Sequence, residues 1–303
     1  MKHRTIFYLM LFLLTLTVAP CTSGTHVPQR CVNGKHFVYS QYYGGQLGNQ
    51  LFQIAATLSL AIDHNAEAVF PDYLSRNQYG LPINREMVFP HLNFEQPRER
   101  VRYQYVENPD FEYAPILYRP NMKTLGYFQS EKYFKHNKDK ILPYFEPKHE
   151  ITSYLQSKYE DLLCHPCTVA IHLRGYLQES PNLKKMFPFL GQDYVEQAAS
   201  LFPEDALFVI FSDQIEWAKH ELKDFSRPHI FIENEKHYHD FYLMSFLKHQ
   251  IISNSSFSWW GAYLNKNPDK IVVAPYPWFQ PNHHLSSEHI IPDEWIKIHI
   301  KSD

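Results

Sequence analysis

A strand, a three-glycine loop and an apolar-faced helix open the chain near residue 40, and strands alternate with helices after residue 149. Together these patterns predict an α/β protein of two Rossmann-like domains. An uncharged apolar stretch precedes both. The expected boundaries are 1–25 for the apolar segment, 30–148 for the first domain and 149–303 for the second.

The N-terminal "MKHR" is followed by "TIFYLMLFLLTLTVAP", sixteen residues without a formal charge. A basic start and an apolar run read as a signal peptide or a short signal anchor. Sixteen residues fall a little below the usual spanning length, so both readings stand. Ala19 and Cys21 supply small residues before a cleavage point. Either way, everything after Pro20 is expected to cross the membrane, and an uncleaved segment would be the membrane contact. Disulfides are then permitted for Cys21, Cys31, Cys164 and Cys167. "CHPC" allows a tight Cys164–Cys167 bridge, pairing outwards with Cys31, or free thiols. A redox site is disfavoured because the motif follows a helix and precedes a strand.

At 303 residues, with 44% hydrophobic and 16% aromatic content, the chain has ample material for a packed core. The net charge of -3 and the lack of a long basic run give no reason to expect nucleic acid. The 18 histidines are scattered without a strong ligand spacing, so no metal site is expected.

Element by element, "FVYSQY" (37–42) reads as a strand leading into Gly44, Gly45 and Gly48, a loop shaped for a phosphate-bearing ligand or simply for a strand-to-helix turn. Leu51, Ala55, Leu58 and Ile62 then form one helix face, with Gln50, Gln53, Thr57 and His64 on the other. "AEAVF" is the next strand. Residues 72–148 are rich in Tyr, Pro, Asn and Arg, and predict irregular connections and short helices. Beyond them a helix is expected over Glu150–Leu163, then the strand "TVAIHL" and a long loop through Pro188. A helix near Gln192–Leu201 precedes the strand "ALFVIFS" and the helix "QIEWAKHEL". The strand "HIFIE", the helix "YHDFYLMSFLKH", the strand "QIISN", the helix "SWWGAYLN" and a last strand "KIVVAP" follow. Five β-rich runs between helices argue a second parallel sheet.

Ligands of open α/β sheets sit beyond the carboxyl ends of the strands. There the sequence places His172 and Arg174, then Ser212 and Asp213, then Asn254, Ser255 and Ser256 opening a helix. Arg174 offers a planar fork for phosphate oxygens, and the helix offers unpaired N–H groups. Asp213 and His172 are suited to a base or ribose edge. The set reads as a nucleoside-diphosphate site, although Ser-Asp after a strand also serves as an N-cap. Asn254 opens a glycosylation sequon in a position where modification is not expected. Trp259 and Trp260 fit core packing better than sugar stacking.

Taken together, "GGQLGNQLFQIA" (44–55), "GYFQSEKYF" (126–134), "HLR" (172–174), "FVIFSDQIEW" (208–217), "DFYLMSFLKHQIISNSSFSWWGAYLN" (240–265) and "KIVVAPYPWF" (270–279) resemble the glycosyltransferase family 11 α-1,2-fucosyltransferases. The resemblance implies a GT-B arrangement, two Rossmann-like domains facing across a cleft. It implies GDP-β-L-fucose as donor, inversion at the anomeric carbon, a galactose-terminated glycan as acceptor, no required metal and a single-pass Golgi setting. By position, Arg174 matches the phosphate-binding arginine, Asp213 and His172 the guanosine-binding groups, and Ser255 and Ser256 the β-phosphate contacts. Asn49 matches the loop asparagine beside the transferred sugar. The chain departs from the family's His-x-Arg-Arg-Gly-Asp-Tyr with "HLRGYLQES", leaving the second arginine and the aspartate without counterparts. Glu179 is the nearest carboxylate and the candidate for the acceptor side. A different acceptor, or a silent GDP-sugar or glycan binder, are the alternatives this departure keeps open.

Overall fold

The computed structural model describes residues 36–175 and 181–300. Within them, β1 (Phe37–Ser40), β2 (Glu67–Val69), β3 (Tyr103–Val106) and β4 (Met122–Leu125) form a first sheet in the order β2-β1-β4-β3. A second sheet comprises β5 (Thr168–Leu173), β6 (Leu207–Ser212), β7 (His229–Phe231), β8 (His249–Ile251), β9 (Val272–Tyr276) and β10 (Ile296–His299), in the order β10-β9-β8-β5-β6-β7. Every pairing is parallel. The α/β class with parallel sheets is therefore the one expected.

Strand order reverses between β5 and β8 in the second sheet, where β5-β6-β7 and β8-β9-β10 run outwards in opposite directions. Such a reversal splays the flanking connections apart and opens a crevice at the carboxyl ends. The glycine loop follows β1, the 126–129 turn follows β4, Arg174 follows β5, and Ser255 follows β8. Four strand ends thus carry the candidate residues: β5 and β8 at the switch point, and the neighbours β1 and β4 of the first sheet.

Several elements differ from the sequence expectation. β3 and β4 lie in the stretch read as irregular, and β10 lies beyond the expected last strand. β3 is an edge strand whose Tyr103 and Val106 stay exposed, so it has no buried face to print an alternation. Pro181–Met186 is helical within the expected long loop. The expected Glu150–Leu163 helix is two, His149–Lys158 and Glu160–Cys164, broken at Tyr159, whose backbone leaves the helical region (φ -120°, ψ 29°).

The Leu47–Asp63 helix buries both of its faces. Gln50, Gln53 and Thr57, on the side opposite Leu51, Ala55 and Leu58, are buried at 0, 1 and 0% exposure. The helix runs between its own sheet and the Ser256–Leu264 helix, so both faces need partners. Its buried amides are hydrogen-bonded, as burial requires. Gln53 Nε2 donates to the Gly44 and Asn49 carbonyls at 2.9 and 3.1 Å, and its Oε1 accepts from the Tyr43 N–H at 2.9 Å. Gln50 Nε2 donates to the Gly45 and Tyr79 carbonyls, both at 3.0 Å. These side chains shape the glycine loop from below.

Trp259 and Trp260 are fully buried. Phe52 packs on both, with centroids at 4.5 and 5.2 Å, and Phe134 stacks on Trp260 at 5.4 Å. The tryptophans are core, and they join elements of both sheets in one aromatic cluster. Cys164 and Cys167 are free thiols. Among the described residues no helix is long and apolar enough to cross a membrane. The apolar N-terminal segment, Cys21, Cys31 and Glu179 lie outside the described residues.

Candidate active site

Gly44 and Gly45 adopt φ values of 125° and 87°, a region closed to most side chains. Only Gly45 of the two lines the cavity described below; a Cβ on it would stand 2.2 Å from Asn49 Nδ2, so the Asn49 amide lies over the bare backbone. A Cβ on Gly48 would stand 2.3 Å from the Ser256 backbone carbon and 2.5 Å from the Phe257 nitrogen. That glycine serves protein contact: it lets the N-termini of the Leu47–Asp63 and Ser256–Leu264 helices meet. Both helices carry the partial positive charge of unpaired N–H groups there.

Asn49 is fixed between the sheets. Its Oδ1 accepts from Ser256 Oγ at 2.6 Å and from Gln129 Nε2 at 2.8 Å. With the oxygen occupied twice, the amide's remaining capacity is its NH2 group. Ser255 is the N-cap of its helix, its Oγ accepting from the Phe257 N–H at 3.3 Å.

Arg174 Nη1 lies 3.3 Å from Asp213 Oδ2. The other carboxylate oxygen accepts from the Gly175 N–H at 2.8 Å. A Cβ on Gly175 would stand 2.6 Å from Gln214 Cβ, so this backbone has no room for a second arginine after Arg174. His172 is buried, with Nδ1 2.9 Å from Ser253 Oγ; burial and the Arg174 charge push its pKa well down, so the ring is neutral. Asn254 is buried and donates from Nδ2 to the Pro188 carbonyl at 3.2 Å, which withdraws the sequon from the surface.

These groups surround two joined chambers. The larger, of about 680 Å³, is lined by Gly45, Gly48, Asn49, Arg174, Asn254 and Ser256 among others. The smaller, of about 350 Å³, shares Arg174 and Asp213 with the larger as lining and holds His172, Asn84, His237 and Asp240. The volumes suit a small ligand. A separate cavity of about 410 Å³, walled by Leu142, Phe145 and Tyr242, contains none of the candidate groups.

The sequence model of glycosyl transferase family 11 matches residues 6–299. The chain belongs to that family. It is 28% identical over 298 residues to an alpha-1,2-colitosyltransferase of Escherichia coli, covering 84% of this chain and 96% of that protein. The O-antigen biosynthesis glycosyltransferase WbnK of Escherichia coli is 31% identical over 182 residues. That match spans 57% of this chain and 59% of WbnK, less than two-thirds of the relative's length. Human galactoside alpha-(1,2)-fucosyltransferase 1 is 27% identical over 256 residues, covering 78% of this chain and 68% of that protein. The family and the transferase class are those the sequence motifs implied.

Within this family member, every expected site residue among those described lines one of the two chambers except Gly44. Sequence reasoning missed Asp240, Asn84, His237 and Gln129. Asp240 Oδ1 is buried with no hydrogen-bond partner among the described residues. Burial, with Glu235 nearby, pushes its pKa up to about 7. The signal was available: a carboxylate within the otherwise apolar "DFYLMSF" run has to face something polar. His237 Nε2 donates to Asn84 Oδ1 at 2.6 Å, and Asn84 Nδ2 donates to Gln50 Oε1 at 2.8 Å. That relay joins the inner chamber to the amide that holds Gly45.

Proposed function

We propose that the protein is an inverting fucosyltransferase that moves L-fucose from GDP-β-L-fucose to the 2-hydroxyl of a galactose-terminated glycan. One observation carries the reading: Arg174, the Asn49 amide and two helix N-termini converge on a single cavity. All four favour a negatively charged group there, as a diphosphate is. Two relatives support the linkage by name, one as an alpha-1,2-colitosyltransferase and one as a galactoside alpha-(1,2)-fucosyltransferase. We read the two parallel sheets as a GT-B pair.

In this reading the guanine enters the inner chamber, where the Asp240 carboxylate, whose Oδ1 has no hydrogen-bond partner among the described residues, accepts from its N1–H and exocyclic N–H donors. Asp213, the sequence-based base reader, instead orients Arg174. The acceptor oxygen attacks C1 from the face opposite GDP. As that C–O bond forms, the bond from C1 to the β-phosphate oxygen breaks, and its electron pair leaves with GDP. Arg174, the Asn49 NH2 and the N–H groups at Ser256–Phe257 meet the growing charge, which is where fixed donors contribute most. The hydroxyl proton passes to a base; Glu179 remains the sequence-based candidate. Charge neutralisation by these groups makes a divalent metal dispensable in the proposal. The apolar N-terminal segment supports a secretory-pathway setting, with the body lumenal behind a Golgi anchor or secreted after cleavage.

The test is incubation of the purified protein with GDP-fucose and an array of glycosides, with a colitosyl donor as a second arm. The reading expects a galactoside to gain one deoxyhexose and GDP to be released. GDP binding without transfer to any acceptor would favour a silent binder instead.

A further inference from the structure

Phe128 stands in the left-handed region at φ 53°, within the turn that follows β4 and carries Gln129. That conformation is costly for a large side chain and persists only where the surroundings enforce it. The ring is buried, edge-on to Tyr133 at 5.3 Å and stacked with Tyr105 at 6.3 Å. On the backbone side the enforcing group is Glu107, the residue after β3. Its Oε2 accepts from the Tyr127 and Phe128 N–H groups at 2.6 and 2.8 Å. Two successive N–H groups converging on one anion make a nest, filled here by the protein's own side chain. The Glu107 N–H also donates to the Leu125 carbonyl at 2.9 Å. A Cβ on Gly126 would stand 2.3 Å from Glu107 Cβ, so only bare backbone lets the carboxylate reach the turn.

The turn delivers Gln129 to the candidate site. Gln129 Nε2 donates to Asn49 Oδ1 at 2.8 Å, beside the 2.6 Å bond from Ser256 Oγ. The two donors are not equivalent. A hydroxyl can donate or accept, so Ser256 fits either orientation of the Asn49 amide. The Gln129 NH2 group only donates, and it selects the orientation that leaves the Asn49 NH2 for a ligand. Glu107 therefore reaches the Asn49 amide through the turn and Gln129, while lining neither chamber itself.

Resting on the transferase reading above, we propose that Glu107 is a positioning residue of the transfer step. Its carboxylate holds the 126–129 turn so that Gln129 fixes the Asn49 amide toward the leaving diphosphate. The titratable groups that bear on Glu107 are Tyr105 of its own strand, Asp110 of the following loop and Tyr133 of the Glu131–Tyr133 helical turn. Burial raises the Glu107 pKa to about 7; the Phe128 and Tyr127 N–H groups and Tyr133 pull the other way, and Asp110 adds to the rise. The anion is the form that holds both N–H groups strongly. The hold tightens as pH rises through about 7 and slackens below it.

The experiment measures kcat from about pH 6 to about pH 9 for transfer from GDP-fucose to a galactoside. It compares wild type, Glu107→Gln, Gln129→Ala and the double variant, with GDP affinity taken by calorimetry on each. Wild-type kcat is expected to rise through about pH 7. Titration of the acceptor base is common to all four proteins and cancels in the comparison. Glu107→Gln should lose the Glu107 part of the rise and lie about tenfold below wild type at about pH 8, as neutral bonds replace charge-assisted ones. Its GDP Kd should stay within about twofold of wild type, which a general loosening of the site would not allow. Gln129→Ala should lose the same part of the rise, and adding Glu107→Gln to it should change kcat by less than about twofold. Gln129→Ala carries the test alone where Glu107→Gln does not fold. Either single variant with the wild-type pH profile overturns the proposal, as do additive losses in the double variant or a raised GDP Kd with unchanged kcat. Where wild type turns over, those results remove Glu107 and leave the transferase reading standing. If wild type transfers fucose to no galactoside, both fall.

Discussion

Ser256 Oγ donates to Asn49 Oδ1 across 2.6 Å, and this bond joins the connections after β1 and β8. The Gln129 amide, after β4, donates to the same oxygen at 2.8 Å. Three strand ends from two sheets therefore meet on one side chain. Asn49→Asp keeps an oxygen for both donors but loses the NH2 group and adds a negative charge. The expected result is an unfolding free energy within about 1 kcal/mol of wild type and a kcat lower by about 10²–10³-fold. Urea melts and steady-state turnover check the two halves; an unchanged kcat would remove Asn49 from the mechanism.

Gly48 tests the meeting of the two helix N-termini. An alanine there must displace backbone atoms of Ser256 and Phe257, which flexible side chains cannot absorb. Gly48→Ala is expected to cost about 1–3 kcal/mol of stability and to raise the KM for the donor, because the helix ends that face it are pushed apart. Chemical denaturation with donor titration would show it. A stable variant with unaltered donor KM would mean that the close approach has no bearing on the site.

How far the sequence discloses this site depends on what each residue does locally. The strand ends at His172, Arg174, Asp213 and Ser255 are legible because β5, β6 and β8 are buried runs with sharp polar terminations. Gln129 is hidden because β4 is four residues long and its neighbour β3 is an exposed edge. Without those strands the β1–β4 pairing that brings Gln129 to the glycine loop is not visible. The roles of Gln50 and Gln53 are hidden for another reason. A glutamine on a helix reads as solvent-facing until the packing partner is known, and that partner, the Ser256–Leu264 helix, is some two hundred residues further along the chain. Asp240 is legible as an anomaly, yet only tertiary structure shows that the carboxylate faces the inner chamber beside Arg174.

Asp240 also sets a pH dependence. Its folded pKa, up to about 7 from an ordinary 3.8, means that the unliganded protein binds more protons than the unfolded chain between those values. Its contribution to stability therefore declines as pH rises from about 4 to about 7. Glu107, likewise pushed up to about 7 by burial, acts in the same direction on stability but lines neither chamber. Guanine binding requires the Asp240 carboxylate, so GDP affinity is expected to increase up to about pH 7 and level off above it. Asp240→Asn should weaken GDP binding and remove that part of the profile. Ionisation of the GDP phosphate is common to both proteins and cancels in the comparison. Parallel profiles for the two proteins would take Asp240 out of the nucleotide site.

Charge neutralisation by Arg174 and two helix ends leads to an expectation about metals. Turnover measured in excess EDTA should stay within about twofold of turnover with added magnesium or manganese, because the fixed donors already face the leaving diphosphate. Loss of activity in chelator, restored by one divalent ion, would show that these donors do not suffice.

The most direct test of the central claim, that Arg174 and the paired helix ends hold and stabilise the departing diphosphate, is kcat/KM of Arg174→Ala with GDP-fucose and a galactoside. Its folding is checked by thermal denaturation. The side chain is 14% exposed and its partner Asp213 is 26% exposed, so the carboxylate left behind can turn to water and the fold should survive. The account expects a cooperative melt close to that of wild type and a loss of about 10³-fold or more in kcat/KM. A folded Arg174→Ala variant that keeps most of its activity would contradict it.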